Sequence, residues 1–546
     1  MTALLLPLLA AVPVLAAALA AIVPARAFGR VLSLVVPAAT LVAGLALLVH
    51  HHSRPVIATQ VGGFVPGVAI PFVSDAFTAL MLTATGVVAL TALAFCAQTG
   101  EFDRSRYFAP LALLLLAGAN GALLTGDLFN LFVFVEVMLL PSYALIAMTG
   151  TWRRLGVGRL FVVINLLTST LLLAGVAFVY ATAGTVNLAV LAGAAAEDGR
   201  VAAALGIVVM ALCIKAGAVP VHGWLPRTYP GTSAGVMALF SALHTKVALY
   251  AIIRIWATAF DLDPTWGRVI LVVALVTILW GAVASAAPVG AREILAWQMV
   301  SGVGVILAAL AVAQAPGGAI VYMLHHMVTI GALVLLIGAA EHVYRSGELG
   351  GLSGLWHKER PLGVLLALAI AALVGLPPTS GLIGKLEVLT AAVTTGGAWG
   401  VATLVVVLLG SLIGLVAMLR LWGGVMWRGG ARGGPGPIAP VIDDDQRDGG
   451  LGLDDDRRST PRVPARLLVP GGALVAVSVA LFLGYGAVAP EVDRAVAGLV
   501  DTDGYVDAVL GGGVLPGGAE VLPGGAEVLP GGADDALTAT TIGGGS

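Results

Sequence analysis

The sequence predicts an all-α polytopic membrane protein, and two observations support this fold class. Hydrophobic residues make up 59% of the 546 residues and charged residues only 11%, whereas soluble domains have about 25% charged residues. Apolar runs of about 20 residues recur along most of the chain, and each can cross a bilayer as a helix. The net charge of −2 gives no reason to expect nucleic-acid binding.

The apolar runs predict about 14 transmembrane helices in chain order. Two of them are expected to be broken: the span at 361–393 is too long for one straight helix and contains LPPTSG, and the seventh contains Pro220 and glycines. The predicted spans are 3–24, 31–50, 71–98, 107–124, 127–149, 159–183, 202–222, 232–256, 268–288, 293–313, 317–343, 361–393, 400–424 and 466–489.

The distribution of arginine predicts the orientation. The first positive charges, Arg26 and Arg30, follow the first apolar run, so this run is predicted to be a transmembrane helix and not a cleaved signal. Most of the remaining loop arginines lie in every second loop, on the same predicted side of the membrane as these two. Six of them are in 425–465. Because positive loops stay inside, both termini are predicted to lie outside.

Two segments are predicted to fall outside the helical bundle. Residues 425–465 are rich in Gly, Pro, Asp and Arg and predict a disordered cytoplasmic loop. The C-terminal segment 490–546 contains the repeats VLPGGAE, VLPGGAE and VLPGGAD and predicts a flexible acidic tail. The remaining divisions are N-terminal helices at 1–106, a first repeat at 107–256, a second at 268–424 and a last helix at 466–489.

Lysine is rare and is placed where the chain is apolar. Of the 28 lysines and arginines only four are lysines, and Lys215, Lys246 and Lys385 lie in membrane-type segments. Glu136 lies in another apolar run, about 13 Å deeper than Asp127 at 1.5 Å per residue. A buried lysine can lose its proton, whereas arginine stays charged. Ionisable groups at membrane depth therefore predict a proton path, with paired structural carboxylates or snorkelling amines as the alternative.

Four histidines are candidate relay residues beside these groups. His222 follows Lys215 by seven residues and shares its helical face, unless it caps the helix break. His244 precedes Lys246 by two residues, so the two do not share a face. His325 and His326 are expected to act in a relay or to form a satisfied interior pair. Metal binding by this pair is disfavoured, because no carboxylate or Cys of suitable spacing accompanies it.

Two broken helices in separate halves, each with an interior lysine, are typical of an inverted-repeat transporter. Each predicted repeat contains five spans. The chain has no Walker A motif, no GxGxxG between a strand and a helix, no CxxC and no serine-hydrolase elbow. ATP-driven transport, flavin binding and iron–sulfur chemistry therefore have no support in the sequence, and no cofactor is predicted.

Four motifs together resemble the proton-translocating antiporter family shared by Mrp-type cation/proton antiporters and respiratory complex I. They are TGDLFNLFVFVEVMLLPSYALI, KAGAVPVHGWLPRTYP, FSALHTKVALYAIIR and GLPPTSGLIGK. The segment GDLFNLFVFVE is most similar to the D-type branch of the Mrp (Mnh) sodium/proton antiporter membrane subunits. The resemblance covers about residues 70–425.

The resemblance implies fourteen helices with two inverted five-helix repeats, and a polar axis in which Glu136, Lys215, Lys246 and Lys385 carry protons. It also implies a hetero-oligomer with other antiporter membrane subunits in a prokaryotic plasma membrane. One position departs from the pattern. Relatives often have a lysine five residues after the first histidine of the eleventh span, where this chain has Ile330, so His325, His326 and water would connect the two halves.

Three functions remain open at the level of sequence. The first is a proton-conducting subunit of a sodium/proton antiporter. The second is an ion-pumping subunit of respiratory complex I or of a membrane-bound hydrogenase, with the same path driven by redox chemistry elsewhere. The third is a structural membrane scaffold, which the charged interior disfavours. The sequence shows no cluster of oxygen ligands for sodium, so proton conduction is the prediction for this chain.

Overall fold

The chain is helical, and its helices form one bundle around a buried interior. The computed structural model describes residues 3–62, 64–148, 152–312, 316–427 and 462–511, without the side chains of 152–154. The helices up to the middle of the chain are α1 (Leu8–Ile22), α2 (Arg26–His50), α3 (Ala76–Gln98), α4 (Glu101–Arg104), α5 (Phe108–Leu124), α6 (Leu128–Ala147), α7 (Trp152–Ala183), α8 (Ala194–Glu197), α9 (Gly199–Ala216), α10 (Trp224–Thr228) and α11 (Ala234–Ala259).

The second half continues in the same way. Its helices are α12 (Pro264–Ala284), α13 (Ala291–Val312), α14 (Gly317–Tyr344), α15 (Arg360–Val374), α16 (Ser380–Thr395), α17 (Gly397–Trp422), α18 (Ala465–Leu483), α19 (Tyr485–Val500) and α20 (Asp503–Leu510). Among the described residues, twelve helices are long and apolar enough to cross a membrane. Two more predicted spans correspond to the shorter α5 and to the interrupted pair α15–α16.

Both predicted helix breaks are present. The helix α9 ends at Ala216, and α15 ends at Val374; each is followed by a glycine in the left-handed conformation, Gly217 with φ 87° and Gly375 with φ 94°. An L-residue with a Cβ adopts this conformation only with strain, so glycine suits both ends. The chain resumes helical structure in α10 and α16.

The predicted repeats have matching layouts. Helices α5, α6, α7, α9–α10 and α11 form the first set, and α12, α13, α14, α15–α16 and α17 form the second, with the broken helix fourth in each. A Cβ on Gly118 of α5 would collide with the backbone N of Met138, and one on Gly281 of α12 would collide with that of Ser301. In both sets the glycine contacts the residue twenty positions later, on the next helix. Because five crossings are an odd number, the second set starts on the opposite side of the membrane from the first.

The centre of the bundle is formed by α11 and α14. In the most apolar stretch of α11 all of the residues are buried, and in that of α14 94% are buried. In α2 and α17 most residues of the corresponding stretch are not buried. A helix that is apolar on all sides belongs at the centre of a membrane bundle. Lys246 and three of the candidate histidines, His244, His325 and His326, therefore lie on helices that the other helices enclose.

The sequence prediction was wrong at the start of the third span. Residues 71–75 are not helical but form strand β2 (Pro71–Asp75), which pairs antiparallel with β1 (Val56–Gln60). Asp75 then ends the strand and caps α3 by accepting a hydrogen bond from the Thr78 backbone N–H at 2.9 Å. We call this end of the bundle the hairpin face.

The prediction of a flexible tail from residue 490 was also wrong for residues 490–511. Helices α19 and α20 cover the hairpin face, and their Leu499, Tyr505 and Val509 are buried. The Gln60 side-chain amide donates a hydrogen bond to the Val509 carbonyl at 2.6 Å, which fixes α20 to β1. The VLPGGAE repeats lie outside the described residues, as do residues 428–461 of the predicted cytoplasmic loop.

We predict that a chain truncated after Val500 is less stable than one truncated after Gly511. The shorter chain loses α20, and burying one large apolar side chain contributes about 1.5–3 kcal/mol. The melting temperature of the purified protein in detergent measures the difference. The variant ending at Gly511 is the matched control, since it removes only the repeat segment. Equal melting temperatures for the two truncations would contradict the packing role of α20.

Candidate functional site

Glu136 and Lys215 are connected by a serine. The Ser169 hydroxyl of α7 donates a hydrogen bond to Glu136 Oε1 on α6, and it accepts one from Lys215 Nζ on α9 at 2.9 Å. Lys215 is only 5% exposed, while Glu136 is half-buried. Among the described ion pairs, none joins Glu136 directly to Lys215. A hydroxyl that both accepts and donates a hydrogen bond therefore connects the acid and the amine, which also attract each other electrostatically.

His244 is held by two hydroxyl groups. Its Nε2 lies 2.9 Å from Ser142 Oγ, and its Nδ1 lies 3.3 Å from the Tyr229 hydroxyl. Because Ser142 donates its own proton to the Met138 carbonyl, the bonding pattern assigns the N–H to Nε2 and an acceptor to Nδ1. The imidazole also stacks on Phe240 at 4.5 Å between ring centroids and interacts electrostatically with Lys215.

Lys246 lies at the centre of the bundle. It has no exposed surface, and its Nζ donates a hydrogen bond to the hydroxyl of the neighbouring Thr245 at 3.0 Å. His326 on α14 interacts electrostatically with it across the interface between α11 and α14. As expected from the spacing, His244 and Lys246 have different partners, and each faces a different neighbouring helix.

The paired histidines of α14 have different environments. His325 Nδ1 contacts Ser380 Oγ at 2.9 Å and Thr329 Oγ1 at 3.1 Å. The His326 ring lies beside the Gln298 backbone and has no side-chain hydrogen-bond partner among the described residues. Its ring fits against Gly302 of α13, where an added Cβ would collide with His326 Nε2. Gly302 is therefore the residue that leaves room for this imidazole.

Lys385 reaches back across the second helix break. Its Nζ donates hydrogen bonds to the Val374 carbonyl at 2.6 Å and to Ser411 Oγ of α17 at 2.9 Å. The Val374 carbonyl is free because α15 ends there. A cavity of about 20 Å³ opens beside the amine, lined also by Gln298 and Ser301, and its size suits about one water molecule. His325 lies within electrostatic range of Lys385.

His222 lies in the first helix break and not on a continued helix. Its backbone carbonyl accepts a hydrogen bond from the Leu225 N–H at 3.1 Å, at the start of α10. Its ring packs against Trp280 and Trp297 with centroid distances of 5.7 Å. His222 precedes Gly223, the N-cap residue of α10, and its ring contacts helices of the second repeat.

The described side chains form an axis across the bundle. It consists of two series that meet on α11. The first is Glu136, Ser169, Lys215 and His244, and the second is Lys246, His326, His325, Lys385 and Ser411. Hydrogen bonds connect the outer members of each series and electrostatic proximity the inner ones, while His244 and Lys246 are related only by their positions on α11. Ile330 is buried on α14, so the position that departs from the resemblance pattern carries an apolar side chain in the interior. In the described ranges, no three His, Cys, Asp or Glu side chains converge closely enough to hold a metal ion.

The sequence analysis did not find the hydroxyl groups that bind the ionisable residues. Ser169, Ser142 and Ser411 lie in apolar helices, where Ser and Thr usually bond to a carbonyl of their own helix. Thr168 and Thr170 do so, to Ile164 and Leu166. Ser169 is distinguished only by lying on the face of α7 that contacts Glu136 of α6. That face cannot be identified until the arrangement of the helices is known.

The fold and the axis define a polytopic helical membrane protein with ionisable groups along its interior. Residues 125–413 match the family model described as "NADH:quinone oxidoreductase/Mrp antiporter, TM". The chain is 35% identical to the D subunit of the Na⁺/H⁺ antiporter of Alkalihalophilus pseudofirmus over 66% of this chain and 75% of that protein. It is 32% identical to the protein of the same name from Bacillus subtilis, over 83% and 88% of the two chains.

A solved structure of the Mrp complex from Dietzia sp. contains a similar chain. The two are 40% identical, with a TM-score of 0.85, over 93% of this chain and 99% of that one. The protein therefore belongs to the membrane-subunit family shared by NADH:quinone oxidoreductases and Mrp antiporters. The resemblance inferred from the four sequence motifs is confirmed.

We predict that Ser169→Ala interrupts exchange between Glu136 and Lys215. The variant keeps both charges but removes the only hydroxyl that the described structure places between them, and loss of a positioned proton-transfer group costs about 100-fold or more in other systems. The rate of ion-coupled proton movement in vesicles measures the effect. Thr170→Val is the matched control, because Thr170 bonds only to its own helix. Wild-type rates in Ser169→Ala would show that the serine is dispensable.

Proposed function

We propose that this protein is the proton-conducting D-type subunit of a multi-subunit, Mrp-type sodium/proton antiporter. The observation that carries the proposal is the Glu136–Ser169–Lys215 bridge, which lies in a chain 40% identical to one in the Mrp complex of Dietzia sp.. The protein acts as a secondary transporter subunit and not as an enzyme. It needs no cofactor of its own for this function.

The bridge supports a defined proton transfer. An ammonium at Lys215 donates to Ser169, and Ser169 already donates to Glu136. If each proton moves one step, Lys215 becomes a neutral amine, Ser169 regains a hydroxyl and Glu136 becomes a carboxylic acid. The reverse transfer restores the two charges. Opposite charges stabilise one another in the first state, so a nearby positive charge or a movement of α9 shifts the balance.

The remaining axis continues the path into the second repeat. A proton on Lys215 repels one at His244, and a proton on Lys246 repels one at His326. The next groups are His325, which contacts Ser380 at the start of α16, and Lys385, which bonds the Val374 carbonyl and the Ser411 hydroxyl. We assign proton relay to Glu136, Lys215, Lys246 and Lys385, with His244, His325 and His326 between them and His222 beside the first break.

The surface around Glu136 supports assembly with other membrane subunits. Glu136 lies on the same face of α6 as Phe129, Val133 and Leu140, all of which are exposed. A half-buried carboxylate within an apolar, lipid-depth face is costly. We propose that another hydrophobic subunit of the hetero-oligomer covers this face. The complex lies in a prokaryotic plasma membrane, with both termini of this chain outside, as the loop arginines predict.

The alternative is an ion-pumping subunit of respiratory complex I or of a membrane-bound hydrogenase, because the matched family includes redox-driven complexes. The two functions differ in what drives the protons. An antiporter exchanges them against a second ion, whereas a redox complex couples them to electron transfer in other subunits.

We predict that vesicles containing the assembled complex collapse an imposed pH gradient when sodium is added. Glu136→Ala and Lys215→Ala complexes should assemble but fail to respond, because each lacks one end of the bridge. Gradient collapse is followed with a pH-sensitive dye, and assembly is followed by co-purification. Proton pumping that requires an electron donor and ignores sodium, or co-purified iron–sulfur or flavin subunits, would assign the protein to the redox branch.

We also predict that Lys385→Arg assembles and transports poorly. Arginine keeps the positive charge and can bond to Val374 and Ser411, but it does not release its proton. The substitution thereby separates a requirement for charge from a requirement for proton exchange. Arg420→Lys is a useful control, since Arg420 bonds the Ala286 and Pro288 carbonyls away from the axis. Normal sodium-dependent gradient collapse by Lys385→Arg would favour a structural role for Lys385.

A further inference from the structure

A cleft lies at one end of the N-terminal helices, between the connection from α1 to α2 and the segment from α4 to α5. Ala20, Gly29 and Ala109 line its buried part, and Arg26 and Arg106 line its exposed part. An added Cβ on Gly29 would lie 3.0 Å from Ala109 Cβ, so α2 and α5 are in direct contact beside the cleft. The cleft therefore combines small apolar residues inside with two arginines at its opening.

The carboxylates near the cleft are already paired with other arginines. Arg30 Nη2 donates a hydrogen bond to Asp103 Oδ1 at 3.0 Å, and Arg104 Nη1 donates one to Glu101 Oε1 at 3.1 Å. Residues 23–30 and 101–107 contain no further acidic residue. Four arginines thus face two carboxylates, which leaves an excess of two positive charges at this end of the helices.

The excess charge is carried by the two arginines of the cleft. Both are exposed. Among the described residues, Arg26 has no hydrogen-bond or ion-pair partner, and Arg106 bonds only the hydroxyl of the neighbouring Tyr107. Guanidinium groups in this state can donate hydrogen bonds to an anion from outside the chain.

The surroundings of the cleft place it at the surface of the membrane. The stretch that ends with α1 and the helix α2 are both long and apolar enough to cross a bilayer, and residues 23–25 connect them beside the cleft. In the last turn of α1, Leu19 and Ile22 are 50% and 77% exposed. Tyr107 is also exposed, as is typical of tyrosines at the membrane–water interface. An anion bound by the arginines therefore has exposed apolar protein surface next to it.

We propose that this cleft binds the headgroup of an anionic phospholipid. The lipid phosphate accepts hydrogen bonds from Arg26 and Arg106, and an acyl chain follows Leu19 and Ile22 into the bilayer. Arginine suits phosphate because it can donate two parallel hydrogen bonds, and basic pockets between transmembrane helices bind anionic headgroups. Two unpaired positive charges favour a lipid of net negative charge over a zwitterionic lipid, whose ammonium group they repel.

A free phosphate or an acidic protein segment would satisfy the arginines but not the apolar surface beside them. The exposed side chains of Leu19 and Ile22 continue from the cleft towards the bilayer, and only a lipid contacts the arginines and these residues together. We therefore favour the lipid, and the other two occupants are outcomes of the experiment below.

The bound lipid would connect the N-terminal helices to the first repeat. Arg26 is the first residue of α2, and Arg106 lies two residues before α5, the first helix of that repeat. A phosphate bonded to both side chains joins the two segments in addition to the Arg30–Asp103 ion pair. This binding is independent of the ion that drives the protons, so it extends beyond the proposed antiport.

The experiment uses the assembled complex in detergent and a phosphatidylglycerol with a photoreactive group on its headgroup. After illumination, mass spectrometry measures the label on peptides that contain residues 19–31 and 101–110 of this chain. The competitors are unlabelled phosphatidylglycerol, phosphatidylcholine with the same acyl chains, and glycerol phosphate. Arg26→Gln/Arg106→Gln removes both unpaired charges. Arg54→Gln/Arg268→Gln is the matched control, because it removes two exposed arginines that do not line the cleft.

We expect the labelling of these peptides to fall about tenfold or more in Arg26→Gln/Arg106→Gln, since one arginine near an anionic lipid contributes roughly fivefold in affinity. The control should be labelled like the wild type. Unlabelled phosphatidylglycerol should compete at least severalfold better than phosphatidylcholine, and glycerol phosphate should not compete at the same concentration. Assembly of each variant is verified by co-purification, and the competition on the wild-type complex decides without any variant.

Three results would overturn the lipid site. Absence of label on these peptides in the intact complex would show that a protein segment covers the cleft or that no lipid enters it. Equal competition by glycerol phosphate would assign the cleft to a soluble phosphate. An equal loss of label in Arg54→Gln/Arg268→Gln would show a general attraction of the protein surface for anionic lipid.

Discussion

An amine inside a bilayer must find its hydrogen-bond acceptors within the protein, and this constraint explains much of the architecture. Lys215 bonds Ser169, Lys246 bonds Thr245, and Lys385 bonds Ser411 and the Val374 carbonyl. An intact helix uses all of its interior carbonyls, so a free carbonyl at membrane depth requires a helix end. The break after α15 supplies one for Lys385. The Val374 carbonyl and the Lys385 amine each provide the hydrogen-bond partner that the other lacks. This reduces both the free-energy cost of interrupting the helix and that of burying the amine.

The two repeats share a layout but not a chemistry. The contacts of Gly118 and Gly281 allow the first two helices of one repeat to be aligned with those of the other. In this alignment Met299 is the residue that corresponds to Glu136. The second repeat therefore has no carboxylate at the matching position. Its lysine also follows the helix break, whereas Lys215 precedes the first break. One end of the axis consequently pairs an amine with an acid, and the other pairs an amine with neutral oxygen atoms.

The structural elements that could be predicted are those determined by residues close together in the sequence. Long apolar runs indicated the spans, and Pro and Gly near positions 220 and 378 indicated the two breaks. Charge in an apolar segment singled out Glu136 and the three lysines. The hairpin and the C-terminal helices were missed because their stability comes from contacts between distant segments, such as Gln60 with Val509. The strand β2 also continues directly into α3, so its apolar residues extend the hydropathy signal of the span.

The bonding partners of the site were not predictable for a different reason. Thr168, Ser169 and Thr170 are equivalent in the sequence, but the first and last bond their own helix while Ser169 bonds Glu136 and Lys215. The difference depends on which face of α7 contacts α6 and α9. Asp75 and Arg254 form a buried ion pair although almost the whole first repeat separates them in the chain, so their pairing likewise depends on the arrangement of α3 and α11.

The weakest polar connection lies where the two repeats meet. His326 is fully enclosed, Gly302 leaves just enough room for its ring, and the ring lies beside the Gln298 backbone. Its neighbour His325 is held by Ser380, which in turn bonds Ser478 of α18. Lys246 approaches His326 from α11, and Lys385 approaches His325 from α16. Between these two lysines the described structure therefore provides two imidazoles in electrostatic range, and no continuous series of hydrogen bonds.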